Sequence, residues 1–262
     1  MGNDTLFHQA LMLEYEGRFA EAFELFQKCF ADPTFDEGDI SFHCGWCLEN
    51  EKKQQQALML YTKAAELTRI PSCKLNSYFR SGWVLMHEKD FVKAADMFRY
   101  AIEYGELVHL QNETYEHAVY WYALCLESQG LYLEALKWYR LAQAASMQLD
   151  PESRYRQIVC LNQVGLFNDA LNVCRTFDAP APDDFDNQRY ETLRNEVRKE
   201  REMLEACLTG QRLSTICDPV GRPSVDSLSR HACLTPYRTS NKSAVPARRS
   251  ESVSARRRAL CN

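Results

Sequence analysis

The sequence predicts an all-α solenoid of about five antiparallel helix pairs, followed by one further helix and a basic tail. Three observations predict it: five 21-residue segments align without a gap, two columns of this alignment are invariant, and helical periodicity flanks a polar break in each segment. The segments begin at Ala10, Gly45, Gly82, Ala123 and Ile158, so their starts lie 35 to 41 residues apart. That period fits a helical hairpin, which buries its apolar face by stacking on its neighbours.

The invariant columns predict where the two helices of each hairpin meet. The fourth column is always Leu and the thirteenth always Ala; they comprise Leu13, Leu48, Leu85, Leu126 and Leu161, and Ala22, Ala57, Ala94, Ala135 and Ala170. The first column is small in four segments and the seventeenth is aromatic in four. Small residues let two backbones approach and aromatic rings fill the space between layers, so we expect these columns to form the core.

Each hairpin is divided by a short polar turn. Gly17, Gly130 or Gly165 marks the break in three segments, and Lys89 with Asp90 marks it in another. Aromatic residues follow the break in four segments, where we expect them to hold the two helices together. These residues are Phe19, Phe91, Tyr132 and Phe167.

The stretches EGRFAEAFELFQKCFADP and SQGLYLEALKWYRLA resemble the tetratricopeptide repeat (TPR), with its small residue, turn glycine, aromatic residue, alanine and late proline in order. The resemblance covers roughly residues 4–178. It implies a right-handed superhelical solenoid whose first helices line a concave groove that usually binds a peptide or another protein. The second repeat matches least well, because Lys52 and Gln54 stand where glycine and the aromatic residue are expected.

The sequence changes character after residue 178. A proline-rich acidic linker leads to a charged helix that Asp186 could cap, with a narrow apolar stripe. The stripe consists of Tyr190, Leu193, Val197, Leu204 and Leu208. We interpret this helix as a cap on the last repeat, with a coiled coil for self-association as the alternative. The predicted domains are therefore 1–178 (repeats), 179–208 (linker and capping helix) and 209–262 (tail).

Charge divides the chain at the same place. Residues 1–208 carry 21 Lys and Arg against 33 Asp and Glu, whereas residues 209–262 carry 10 against 3, giving net charges of −12 and +7. The tail is rich in Ser, Arg and Pro, so we predict that it is disordered. It could engage nucleic acid or an anionic surface, or fold back onto the acidic body. The candidate phosphorylation sites beside its arginines are Ser250, Ser252 and Ser254.

The segment SFHCGWCLEN, residues 41–50, looks like a thiol redox site or half of a metal site. However, Cys47 falls in the third column, where cysteine is the commonest residue, in the middle of a predicted helix. Redox pairs of this spacing belong at the start of a helix, and no second pair of zinc ligands is seen. We therefore predict that Cys44 and Cys47 pack in the core, and we expect no catalytic residue, metal or cofactor.

A further set of columns points toward the concave side that the TPR resemblance implies. It is aromatic three residues before each segment and holds Trp, Leu or Val one helical turn later. The predicted partner-binding groove comprises Phe7, Leu11, Phe42, Trp46, Phe79, Trp83, Tyr120, Leu124 and Tyr155. Flanking carboxylates predict an acidic rim of Glu14, Asp39, Glu49, Glu127 and Glu152. The alternative is that the aromatic residues only pack first helix against first helix.

These features favour a non-catalytic scaffold or adaptor for a protein segment with bulky apolar side chains surrounded by Lys or Arg. The N-terminus resembles no export signal and no apolar run is long enough to span a bilayer, so we expect a cytoplasmic protein without membrane insertion. A nucleic-acid-binding helical-repeat protein is the alternative. The acidic charge of the repeats disfavours phosphate binding there, which leaves the tail as the place for it.

Overall fold

A computed structural model describes residues 3–146, 149–181 and 185–209. These ranges contain eleven α-helices and one 3-10 turn, and no strand. The helices are α1 (Asn3–Tyr15), α2 (Phe19–Cys29), α3 (Glu37–Asn50), α4 (Gln54–Leu67), α5 (Pro71–His87), α6 (Phe91–Leu107), α7 (Glu113–Ser128), α8 (Tyr132–Ala145), α9 (Asp150–Gln163), α10 (Phe167–Arg175) and α11 (Asn187–Leu208). In the described part of the chain, no helix is both long and apolar enough to cross a lipid bilayer.

The first ten helices form five hairpins, which confirms the predicted helix pairs. Each odd-numbered helix from α1 to α9 packs against the even-numbered helix that follows it, and each hairpin packs against the next one along the chain. The invariant alanines are all fully buried at the contact between the helices, and α2, α6, α8 and α10 begin at the predicted aromatic residues. The alignment of a single sequence therefore predicted the helical registers correctly.

All five hairpins turn through the same left-handed backbone conformation. Gly17, Gly130 and Gly165 have φ between +77° and +79°, and Lys52 and Lys89 adopt φ of 64° and 65° at the equivalent positions. In each turn this residue and the next donate backbone hydrogen bonds to the last turn of the first helix. The second repeat therefore keeps the shared turn, although a side chain strains its backbone.

The small first column is explained by the aromatic ring that packs on it. A Cβ added to Gly82 would lie 2.9 Å from the ring of Phe98, and one added to Gly45 would lie 3.0 Å from Tyr61. A methyl group at either position would force the ring to move. The first and seventeenth columns are therefore two sides of one contact inside each hairpin.

Helix α11 packs against α9 and α10. Asp186 accepts hydrogen bonds from the backbone N–H groups of Gln188 and Arg189, as expected of a helix cap. Four residues of the predicted stripe are at most 5% exposed, and only Leu208 remains exposed, at 46%. Because the stripe is buried against the chain's own last repeat, the alternative of self-association through an apolar seam on this helix is not supported.

The predictions for the tail fall on residues that, apart from Thr209 at the end of α11, lie outside the described ranges. They concern disorder in residues 209–262, nucleic-acid binding by this segment, and phosphorylation at Ser250, Ser252 and Ser254. They stay predictions from composition and charge.

Candidate partner-binding face

The aromatic column predicted to line the groove is mostly buried. Phe42 and Phe79 are 1% exposed, Tyr120 is 6% and Tyr155 is 5% exposed, and Leu124 of the neighbouring column is 2% exposed. These five residues are corrected from groove-lining to core residues. Helical periodicity predicted their direction around the helix, but direction does not fix how deeply the neighbouring helices cover a side chain.

A ring contact inside each of the first four hairpins contributes to this burial. In the first four repeats the aromatic residue three positions before the segment meets the aromatic residue in its seventeenth column, with centroids 5.5 to 5.7 Å apart. The pairs are Phe7–Phe26, Phe42–Tyr61, Phe79–Phe98 and Tyr120–Tyr139. The rings therefore join the first helix to the second helix of the same repeat. Two of them also meet a ring on the next first helix, Phe7 with His43 and Phe79 with His117, so the alternative of packing between first helices holds in part.

Four of the predicted groove residues keep part of their side chains at the surface: Phe7, Leu11, Trp46 and Trp83. Phe7 packs parallel to Phe35 at 5.1 Å, and Leu11 lies against the core of the first repeat. Trp46 on α3 and Trp83 on α5 occupy the same column of successive repeats. They are thus two large groove residues at equivalent positions that the structure leaves partly accessible on neighbouring first helices.

Arg80 joins these two indole rings. Its guanidinium carbon lies 4.6 Å from the centroid of Trp46 and 5.7 Å from that of Trp83, within the range of cation–π attraction. Trp83 also meets Trp121 edge-on, with centroids 5.0 Å apart. We call Trp46, Arg80 and Trp83 the Trp–Arg–Trp stack.

The position of Arg80 is fixed by a buried carboxylate of the preceding repeat. Arg80 Nε donates to Glu49 Oε2 at 3.1 Å, and Arg80 Nη2 donates to the other oxygen. The Tyr61 hydroxyl donates to Glu49 Oε2 at 2.7 Å. Burial by itself lowers the pKa of Arg80, but Glu49 and Tyr61 raise it overall, so the guanidinium stays charged. The stack therefore has a rigid, charge-compensated base.

The same arrangement recurs between the fourth and fifth repeats. Arg156 Nη1 donates to Glu127 Oε1 at 2.9 Å, and the Tyr139 hydroxyl donates to Glu127 Oε2 at 2.6 Å. Between the first and second repeats, His43 replaces the arginine and its Nδ1 lies 2.7 Å from Glu14 Oε2. We call the pairs Glu14–His43, Glu49–Arg80 and Glu127–Arg156 the inter-repeat ladder.

Between the third and fourth repeats the two ladder positions are apolar. Met86 stands in the glutamate column and Trp121 in the cation column, and each is 4% exposed. Phe98 stands in the seventeenth column, where Tyr61 and Tyr139 hydrogen-bond the carboxylates of Glu49 and Glu127; the first repeat also has a phenylalanine there, Phe26, and its Glu14 is held by His43. At each ladder contact, the glutamate position and the cation position are therefore either both polar and paired or both apolar. This is expected because an unpaired buried charge is costly.

The prediction of an exposed acidic rim is wrong for most of its members. Glu14, Glu49 and Glu152 are only 7% to 8% exposed, and the side chain of Glu127 is 12% exposed. Glu152 forms an ion pair with Arg189 of the capping helix. Burial raises the pKa of Glu152, an effect that Arg189 only partly offsets. Asp39 is the most exposed of the five, with 25% of its side chain exposed and its carboxylate 4.0 Å from His43 Nε2.

His43 is the titratable member of the ladder. Its ring stacks on Phe26 with centroids 5.0 Å apart and lies between the carboxylates of Glu14 and Asp39. Burial by itself lowers the pKa of His43, but the two carboxylates raise it above its ordinary value overall. The contact between the first two repeats therefore favours the imidazolium form.

The two cysteines of the Cys-Gly-Trp-Cys segment belong to the core, as predicted. Cys44 and Cys47 lie within α3 and are at most 1% exposed. Burial raises the pKa of Cys44 to about 12 and that of Cys47 well above its ordinary value, so neither thiol ionises near neutral pH. Among the residues that the structure describes, no group of three or more His, Cys, Asp or Glu side chains could hold a metal ion.

No family model matches this sequence, and no curated protein matches it. Solved structures are similar in fold. The apo form of RapI has a TM-score of 0.58 at 10% identity, covering 79% of this chain and 77% of that chain. The MamA protein has a TM-score of 0.54 at 16% identity, covering 78% and 96%.

The TPR-like repeats of a putative kinesin light chain from Podosopora anserina have a TM-score of 0.50 at 13% identity, covering 80% of this chain and 96% of that chain. Identities this low establish the fold and nothing finer. This chain has the fold of the TPR-like repeat proteins.

Proposed function

We propose that this chain is a non-catalytic scaffold that binds a segment of a partner protein against the Trp–Arg–Trp stack. Helical solenoids of this kind present extended binding surfaces made from equivalent positions of successive repeats. Trp46 and Trp83 occupy such positions, and each keeps part of its indole at the surface. Tryptophan and arginine are also the residues that most often dominate the energy of protein interfaces.

The observation that carries the proposal is the support beneath the stack. Arg80 is 5% exposed and held by Glu49, which is itself held by Tyr61. A binding surface whose side chains are already ordered loses less conformational entropy when a partner docks. The two indoles are therefore pre-organised anchors, and the partner is a segment with bulky apolar side chains that cover them.

The partner need not be basic. Four of the five carboxylates that the sequence suggested as an acidic rim, all but Asp39, are paired with His43, Arg80, Arg156 and Arg189 within the chain. They therefore contribute little attraction for Lys or Arg on a partner, and we propose that apolar contact area decides affinity.

Selection from a random peptide library displayed on phage tests this function. The full chain is immobilised, and enriched peptides are measured against Trp46→Ala with Trp83→Ala and against Met59→Ala. Met59 is 73% exposed on α4, a second helix, which makes it a matched apolar control away from the stack.

The proposal predicts peptides with aromatic or large aliphatic residues whose affinity falls at least about tenfold in the double variant and stays unchanged in the control. Equal affinity for the double variant and the wild type would place the binding surface elsewhere. Circular dichroism of both variants establishes that the repeats are still folded.

A further inference from the structure

Two columns of the first helices are buried in every later repeat and exposed in the first. In the third column Met12 is 48% exposed, whereas its four equivalents are at most 1% exposed; these are Cys47, Val84, Cys125 and Cys160. In the cation column of the ladder His8 is exposed, whereas its four equivalents are at most 8% exposed; these are His43, Arg80, Trp121 and Arg156. In the later repeats, helices of the preceding repeat cover this side of the first helix.

The exposed residues form one continuous strip along α1. His8 and Gln9 precede Met12 by four and three residues, and Tyr15 and Glu16 follow it by three and four. They therefore lie on one side of α1, with Glu16 directly after its last residue. Tyr15 is 81% exposed, the highest value among the large hydrophobic side chains of the described residues. We call these five residues the N-terminal face.

The order of residues in this face makes it complementary to itself. When two copies of a helix cross antiparallel about one residue, side chains equally far before and after that residue face each other. With Met12 at the crossing, Met12 meets Met12, His8 meets Glu16 of the second copy, and Gln9 meets Tyr15 of the second copy. Each such pair then occurs twice, as in any isologous interface.

We propose that the N-terminal face binds a second copy of this chain, with α1 against α1 in an antiparallel, two-fold symmetric contact. The inter-repeat ladder supports the outer pair of His8 with Glu16, because His43 occupies the same column as His8 and takes a carboxylate, Glu14, at 2.7 Å. Glu16 already pairs with Arg18 at 3.2 Å, but both side chains are 50% exposed and such pairs contribute little. The carboxylate is thus available to His8 of the second copy.

The size of the face sets the expected strength. A helix of 13 residues covers less than the roughly 800 Å² per partner of a standard interface. We therefore expect a weak dimer, with a dissociation constant on the order of 10 to 100 μM. This contact lies on the first repeat, away from the Trp–Arg–Trp stack on α3 and α5, so it is independent of the proposed function.

Sedimentation equilibrium of the full chain up to about 1 mM tests the contact. The wild type is expected to pass from monomer to dimer over this range. Met12→Glu is expected to weaken dimerisation at least about tenfold, because two carboxylates would meet at the two-fold axis. Met59→Glu, an equally drastic change on the exposed side of α4, should leave it unchanged.

A charge swap separates this geometry from unspecific stickiness. His8→Glu alone is expected to weaken the dimer, because the introduced carboxylate would face Glu16 of the second copy. Adding Glu16→Lys should restore it, because each introduced carboxylate then faces an ammonium group. A wild type that stays monomeric throughout the range, a Met12→Glu variant that dimerises normally, or a swap that fails to restore the dimer would overturn the proposal.

Discussion

Arg80 connects two repeats and two tryptophans at once. Its guanidinium donates to both oxygens of Glu49, which lies 31 residues earlier in the chain, and its carbon lies 4.6 Å from the centroid of Trp46. The contact that holds the second and third repeats together therefore also builds the surface that we propose for partner binding.

The chain contains its own apolar alternative to this contact, which gives a test of the ladder. Arg80→Met leaves the Glu49 carboxylate buried without its main partner, and we expect the free energy of unfolding to fall by about 3–5 kcal/mol. Replacing Glu49→Met, Arg80→Trp and Tyr61→Phe together copies the arrangement at Met86, Trp121 and Phe98.

We expect this triple variant to lie within about 2 kcal/mol of the wild type in urea unfolding, because no buried charge is left unpaired. If the triple variant is as unstable as Arg80→Met, the loss of stability comes from altered packing at these positions rather than from an unpaired buried charge.

The sequence predicted the fold well because its signals are local. The Ala column, the turn residues and the small first column describe contacts within one hairpin, and each was found as expected. Four members of the Leu column are at most 8% exposed, and Leu13 is half-buried. The ladder contacts between hairpins join residues 29 to 31 positions apart, such as Glu14 with His43 and Glu49 with Arg80. When each column is considered separately, its glutamates look like an exposed acidic rim, although they form buried ion pairs with the next repeat.

A joint comparison of two columns could have found these pairs. Wherever the fifth column holds glutamate and a repeat follows, the residue two positions before that next segment is His43, Arg80 or Arg156; where it holds Met86, that residue is Trp121. The burial of Phe42 or Tyr120 could not have been found in this way. The burial of these side chains depends on the distance between neighbouring helices, and helical periodicity gives no information about that distance.

The pH dependence of stability should reveal the contact between His43 and Glu14. Because the folded chain raises the pKa of His43, its stabilising contribution is fully present below about pH 6.5, the ordinary pKa of histidine, and is lost as the pH rises through the folded value. We expect the wild type to lose stability over that window and Glu14→Gln to lose less, since the amide no longer raises the pKa. Chemical unfolding at a series of pH values measures this difference, and equal slopes would contradict it.

At the left-handed turn positions, replacing a side chain with glycine should stabilise the chain, and replacing glycine with alanine should destabilise it. Lys89 has φ of 65° without the freedom of glycine, so Lys89→Gly is expected to stabilise the chain by about 0.5–1 kcal/mol. Gly130 has φ of 78°, and Gly130→Ala should destabilise it by about 1 kcal/mol. Midpoints of thermal unfolding that move in the same direction for both variants would exclude turn strain as the cause.

Thiol alkylation distinguishes core cysteines from a redox pair. Cys207 is exposed, whereas Cys44 and Cys47 are buried with raised pKa values. With iodoacetamide at pH 8, we expect mass spectrometry to show rapid labelling at Cys207 and none at Cys44 or Cys47 until the chain is unfolded. Rapid labelling of Cys44 in the folded chain would restore the interpretation as a reactive site.

The most direct measurement of the proposed function follows the indole N–H signals of the four tryptophans by NMR while a selected peptide is added. Trp46→Phe and Trp83→Phe assign the two signals of the stack, and Trp138, which packs on Tyr122 from α8, serves as the internal reference. We expect the Trp46 and Trp83 signals to shift with a common dissociation constant while that of Trp138 stays in place. A shift of Trp138 alone, with Trp46 and Trp83 unchanged at saturation, would contradict binding at the Trp–Arg–Trp stack.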